Sequence, residues 1–119
     1  MMNLRLNKAA FVWAQEMISS KRMIKGGLDW DEIRDDEDGH KNMFKRDGAL
    51  ESSMWFLAVD PTKDPLTPEA YDLPIGDFTH VYTGALGAIK DFANDNELFE
   101  IQNAAIKLLE QSGIRDYSK

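Results

Sequence analysis

The sequence predicts an all-α fold: a small helical domain with three main amphipathic helices, short helical turns and a long irregular Pro-containing connector. Apolar residues recur at helical spacing in separate stretches, and residues that favour the helix N-cap precede them. All four prolines fall between Pro61 and Pro74, where they would interrupt a helix. A chain of 119 residues with 43% hydrophobic content suits one domain, spanning residues 1–119.

The first predicted helix begins after Asn7, a favourable N-cap, and ends near Ser20. Its apolar face holds Ala10, Phe11, Trp13, Ala14, Met17 and Ile18. Gly26-Gly27 ends this unit. Residues 28–47 are polar, and we predict a loop there with one short helical turn near 30–36. Residues 29–40 of this loop are named the acidic segment below.

Residues 47–59 leave two structures open. Asp47 can cap a helix whose apolar face would hold Leu50, Met54, Leu57 and Ala58, and this is the structure we favour. The run Met54–Val59 is also short, apolar and aromatic, so a buried strand remains possible. The connector, residues 60–76, is predicted to be irregular with at most one turn around 68–71.

Two further helices are predicted to form an antiparallel hairpin. Asp77 would cap the first, and Asn94 with Glu97 would form a capping box for the second. Gly113 is a suitable C′ residue, and the tail 114–119 is expected to fray. The two apolar faces hold Phe78, Val81, Tyr82, Ala85, Leu86, Ile89 and Phe92, and then Leu98, Ile101, Ala105, Leu108 and Leu109.

Small residues interrupt the first helix of this pair. Gly84 and Gly87 would each cost roughly 1 kcal/mol relative to alanine inside a helix. Together with Ala88 they form a patch that we interpret as a site of close helix packing.

Composition excludes several classes of protein. The net charge is −7, so phosphate backbones would repel the chain and no nucleic-acid partner is expected. No apolar run is long enough to span a membrane. Cysteine is absent, which excludes thiol catalysis and Cys-based zinc sites and fits a cytoplasmic location.

The charge is unevenly distributed along the chain. Residues 1–27 hold five Lys or Arg and one Glu, a net charge of +4, so the remainder carries −11.

Two short elements, followed by an alanine-rich helix pair, carry a resemblance. The first is Trp55-Phe56-Leu57 with Asp60, and the second is Pro74-Ile75-Gly76-Asp77-Phe78 with Val81. The chain resembles a family of small uncharacterised bacterial and phage-associated proteins that share these elements. The family has no established activity, so the resemblance implies a fold more than a chemistry. Relatives tend to carry His-Arg-Ser where this chain has Tyr82-Thr83-Gly84.

The acidic segment is the first candidate site, since seven of the ten residues from Asp29 to Asp38 are acidic. Clustered carboxylates with one imidazole suit a weakly bound divalent metal such as Ca²⁺, Mg²⁺ or Mn²⁺. The predicted ligands are Asp35, Asp36, Asp38 and His40. An EF-hand loop does not fit, because Gly39 at its sixth position would place Arg34 first and Lys45 twelfth. A solvated or partner-facing loop is the competing interpretation.

Trp30 is the second candidate, as a partner-binding residue together with Asp29, Asp31 and Glu32. A tryptophan beside charge at a surface is typical of binding hot spots. The other interpretation is that Trp30 pins the acidic segment to the core.

We expect a small acidic cytosolic protein that acts through protein–protein contacts, with itself or an unknown partner, or as a phage accessory protein. No catalytic template or phosphate-binding loop occurs, so we expect neither enzymatic activity nor a cofactor. The alternative is a divalent-metal-dependent enzyme or sensor, which predicts that Glu51, Asp77 or His80 converges on the acidic segment. A third hypothesis is an acidic mimic of nucleic acid, with carboxylates at phosphate spacing along one face.

Overall fold

The computed structural model describes residues 2–113, and their fold is mixed α/β. The prediction of an all-α fold is therefore wrong: 56% of the described residues are helical and 13% are in strands. The helices are α1 (Lys8–Ser19), α2 (Trp30–Asp35), α3 (Glu37–Asp47), α4 (Ala49–Ser53), α5 (Thr83–Asp95) and α6 (Phe99–Gln111). The strands are β1 (Arg5–Leu6), β2 (Met23–Ile24), β3 (Phe56–Val59), β4 (Tyr71–Pro74) and β5 (Val81–Tyr82). Strands of two to four residues are too short to show an alternating apolar pattern.

The strands form two sheets that meet at one residue. Antiparallel β1, β3 and β4 lie in that order, and β2 pairs with β5 in parallel. The N–H of Ile75 donates to the carbonyl of Trp55 over 3.0 Å, and its carbonyl accepts from the N–H of Tyr82 over 3.1 Å. Ile75 therefore joins the two sheets through its backbone.

Strand β3 is buried on both faces, because successive strand residues point in opposite directions. Leu57 lies in the main core, to which α1, α5 and α6 contribute, whereas Phe56 packs with Met43 and Phe44 of α3 in a smaller cluster. Burial on both faces explains why Met54–Val59 is a continuous apolar run. The favoured helix over this run is wrong, and the strand left open as an alternative is correct.

Asn7 is the N-cap of α1, as predicted. Its Oδ1 accepts from the N–H of Ala10 over 3.5 Å, and α1 ends at Ser19. Its Nδ2 also donates to the carbonyls of Ser53 and Phe56, each over 3.0 Å. The same side chain therefore starts α1 and ties it to the beginning of β3.

The polar stretch 28–47 is largely helical, so the predicted loop is wrong there. The short turn predicted near 30–36 corresponds to α2, and α3 follows it directly. Asp47 is the last residue of α3 and does not cap a helix; Gly48 precedes α4 instead. In the connector, the predicted turn is a 3₁₀ turn at Pro68–Ala70, but β4 follows it.

The predicted caps of the last two helices are also wrong. Helix α5 begins at Thr83, and Asp77 lies in a preceding turn, where its Oδ1 accepts from the N–H groups of Thr79 and His80. Asn94 lies inside α5, and α6 begins only at Phe99. Helices α5 and α6 do pack against each other.

Gly113 follows the C-cap of α6 with a φ of +90°, as expected for a C′ residue. The tail 114–119, predicted to fray, lies outside the described residues. No helix within residues 2–113 is long and apolar enough to cross a membrane.

The glycine patch divides into two different environments. A Cβ on Gly84 would lie 2.7 Å from both the carbonyl oxygen of Gly26 and the Cα of Gly27. A Cβ on Gly87 would meet nothing within 4 Å. Ala88 is partly buried against the main core. Close packing thus occurs at Gly84, but its neighbour is a loop backbone and not a second helix.

Candidate functional site

An open groove runs between α3 and the connector, and we name it the α3 groove. Its polar end has a volume of about 570 Å³. Residues from α2, α3, the connector and β4 line this end: Arg34, Asp35, Glu37, His40, Lys41, Lys63, Pro68, Glu69, Tyr71 and Asp72. Its apolar end has a volume of about 280 Å³ and is lined by Lys41, Phe44, Lys45, Leu66, Thr67, Pro68 and Glu69. Three lining residues are common to both ends, so the two ends are adjacent.

The apolar end is built from a buried ring and an exposed leucine. Phe44 is buried and packs against Tyr71 and Phe56, with ring centroids 5.8 and 6.4 Å away. Leu66, on the opposite side, is 74% exposed. Lys41 and Lys45 lie one helical turn apart on α3, on the same face as Phe44.

Hydrogen bonds fix the connector around Leu66. The Oδ1 of Asp64 accepts from the N–H of Leu66 over 3.0 Å, and the Asp64 carbonyl accepts from the hydroxyl of Thr67 over 2.8 Å. The hydroxyl of Tyr71 donates to the carbonyl of Pro65 over 2.8 Å. Hydrogen bonds of this kind between side chains and the backbone order a turn without regular secondary structure. Leu66 is therefore presented to solvent by an ordered backbone.

Arg34 forms a fixed wall of the polar end. Its guanidinium donates two hydrogen bonds to the carboxylate of Asp72, at 2.9 and 3.0 Å. It also stacks 4.4 Å from the ring centroid of Phe92. Hydrogen bonding to Asp72 raises the pKa of Arg34 against the opposing effect of burial. Because Asp72 already occupies this guanidinium, Arg34 contributes shape more than free charge.

The predicted metal ligands do not share one site. Asp36 caps α3, with its Oδ1 accepting from the N–H of Gly39 over 3.1 Å. His40 is buried, its Nε2 lies 2.9 Å from the carbonyl of Ile33, and its ring packs against Phe56 and Phe78.

The remaining predicted ligands, Asp35 and Asp38, are exposed. In the part of the chain that the structure describes, no three His, Asp or Glu side chains are placed to hold a metal ion. The metal-dependent hypothesis predicts that Glu51, Asp77 or His80 joins the acidic segment to form a metal site. No such group of ligands is found among residues 2–113. The metal-dependent alternative stays a prediction that no contact favours.

Trp30 has the geometry of an anchor and not of an exposed contact. It is buried, and its indole N–H donates to the carbonyl of Pro74 over 2.8 Å. Asp29 caps α2 by accepting from the N–H of Glu32 over 3.2 Å, and Asp31 and Glu32 are exposed in its first turn.

Sequence reasoning missed the apolar end of the groove entirely. The signal available was an isolated apolar residue, Leu66, within the polar connector, and a phenylalanine, Phe44, with lysines three residues before it and one after it. Neither pattern is specific until the fold brings the two segments together. Comparison with protein-family models, with curated proteins and with solved structures gives no significant match.

Proposed function

We propose that this protein is a non-enzymatic binding protein that holds a segment of a partner protein in the α3 groove. The observation that carries the proposal is Leu66, which is exposed on an ordered backbone beside the buried ring of Phe44. A single exposed leucine is ordinary on a protein surface. A leucine held at the rim of a groove with an aromatic floor offers an apolar contact in a concave site, which is the usual composition of a binding site.

The fixed connector favours binding energetically. Ordering a loop on association costs free energy that is subtracted from the affinity. The bonds from Asp64 and Tyr71 hold this loop before any partner arrives. Contacts to Leu66 would therefore contribute to affinity without a large ordering cost.

A matched pair of leucines tests the proposal. Leu66 and Leu50 are 74% and 78% exposed, and Leu50 does not line the groove. Random dodecamer peptides displayed on a surface are selected against the full chain, and the selected peptides are then titrated by fluorescence polarisation. We expect Leu66→Asp to weaken binding by at least about tenfold, because the new carboxylate would be desolvated against the apolar part of the bound peptide.

The control variant, Leu50→Asp, should bind the same peptides as the wild-type chain does. Circular dichroism of both variants checks that each retains its helices. Failure to select any peptide, or equal weakening by the two variants, would contradict the proposal.

A further inference from the structure

The charge pattern of the groove identifies the chemistry of its occupant. Resting on the function proposed above, we infer that the bound segment is acidic, with one or more carboxylates directly beside an apolar anchor. The anchor would occupy the apolar end between Phe44 and Leu66.

Two lysines carry the inference. Lys41 and Lys45 line the apolar end and are exposed, and the one acid that lines it is Glu69. This end therefore has a net positive charge in a chain whose total is −7. Cations on the rim of an apolar site complement carboxylates of a partner and speed its association.

These lysines are also available to a partner. Neither Lys41 nor Lys45 forms an ion pair with a carboxylate of residues 2–113. Arg34 and Arg46, by contrast, each hold a carboxylate through two hydrogen bonds. The two ammonium groups beside Phe44 thus retain their capacity to bind an acid.

The polar end sets the position of the carboxylates along the groove. Arg34 is already paired with Asp72, so the remaining charges there are Lys41 and Lys63 against Asp35, Glu37 and Glu69. That balance is negative and would repel a further acid. The carboxylates of the occupant therefore belong at the apolar end, next to the anchor.

A charge-reversal experiment tests the inference on the selected peptides. We expect the peptides to be enriched in Asp or Glu beside an apolar residue. The double variant Lys41→Glu/Lys45→Glu should weaken their binding by about tenfold or more and should bind peptides with Lys in place of the acids more tightly. The control Lys8→Glu/Lys107→Glu changes the net charge equally, at exposed lysines of α1 and α6, and should change binding little.

The outcomes separate the two proposals. Peptides that depend on Leu66 but are neutral or basic, or that bind equally to the Lys41/Lys45 variant, would overturn the acidic occupant and leave the binding function standing. Self-association that Leu66→Asp abolishes, seen by light scattering, would make a second copy of the chain the occupant and would also overturn it. If no peptide depends on Leu66, the proposed function itself fails.

Discussion

The indole N–H of Trp30 donates a hydrogen bond to the backbone carbonyl of Pro74 across 2.8 Å. One turn further along α2, Arg34 holds the carboxylate of Asp72. Trp30 and Arg34, on one face of α2, therefore bind Pro74 and Asp72 of β4. Strand β4 is the outer strand of its sheet. Covering a strand edge in this way protects it from pairing with other chains.

Replacing Trp30 with phenylalanine should lower the free energy of unfolding by about 1–3 kcal/mol, because the buried carbonyl of Pro74 would lose its donor. Urea denaturation followed by circular dichroism measures the change. Trp13→Phe is the control, since Trp13 packs edge-on against Trp55 and its indole N–H donates to no acceptor within residues 2–113. Equal losses in both variants would show that ring size, and not the hydrogen bond, matters at Trp30.

Replacing Arg34 with lysine should lower stability by about 1–2 kcal/mol, because an ammonium group cannot make the paired hydrogen bonds to Asp72 or stack on Phe92. Arg46→Lys is a matched control. Arg46 also binds a carboxylate through two hydrogen bonds, that of Asp47, but the pair is exposed, so its loss should change stability little. Thermal denaturation of the two variants checks this, and a larger shift for Arg46→Lys would contradict it.

The two glycines of α5 should respond to alanine with opposite signs. Gly84→Ala should destabilise the protein by about 1–3 kcal/mol, because its Cβ would collide with the backbone of Gly26 and Gly27. Gly87→Ala should stabilise it by about 0.5–1 kcal/mol, since the site is open and alanine is the better helix former. Urea denaturation gives both values, and stabilisation by both substitutions would exclude close packing at Gly84.

Signals confined to neighbouring residues were sufficient to predict some elements. The cap at Asn7, the turn of α2 and the C′ role of Gly113 each depend on contacts within a few residues, which the sequence displays directly. The sequence around Trp30 is compatible with a surface contact and with an anchor, and only its hydrogen-bond partner Pro74, 44 positions away, distinguishes the two. The groove depends on α3 meeting the connector, so no local pattern could reveal it.

Asp77 shows why local signals can also mislead. An aspartate whose side chain accepts from N–H groups two and three residues later is typical of a helix N-cap and equally of an isolated turn. Here the turn is followed by β5, because Val81 and Tyr82 pair with β2. That pairing involves residues nearly 60 positions apart. Helical periodicity alone does not show it, and therefore predicts a helix that includes Val81 and Tyr82.

The carboxylate of Asp77 should make stability depend on pH in acid. Burial raises the pKa of Asp77, but hydrogen bonds from the hydroxyl and N–H of Thr79, the N–H of His80 and the side chain of Tyr82 outweigh it and hold the pKa below its usual value. A pKa depressed by folding adds stability that is present above the unfolded value, about 3.9, and is lost as the pH falls through the folded one. Thr79→Ala should therefore raise the pKa of Asp77 in an NMR titration and make the loss of stability below about pH 4 less steep.

Asp60 provides the control within the same titration. Its pKa, lowered by the hydroxyl of Thr62 in a separate turn, should not change. A Thr79→Ala variant with an unaltered Asp77 titration would show that the Thr79 hydroxyl does not stabilise this carboxylate.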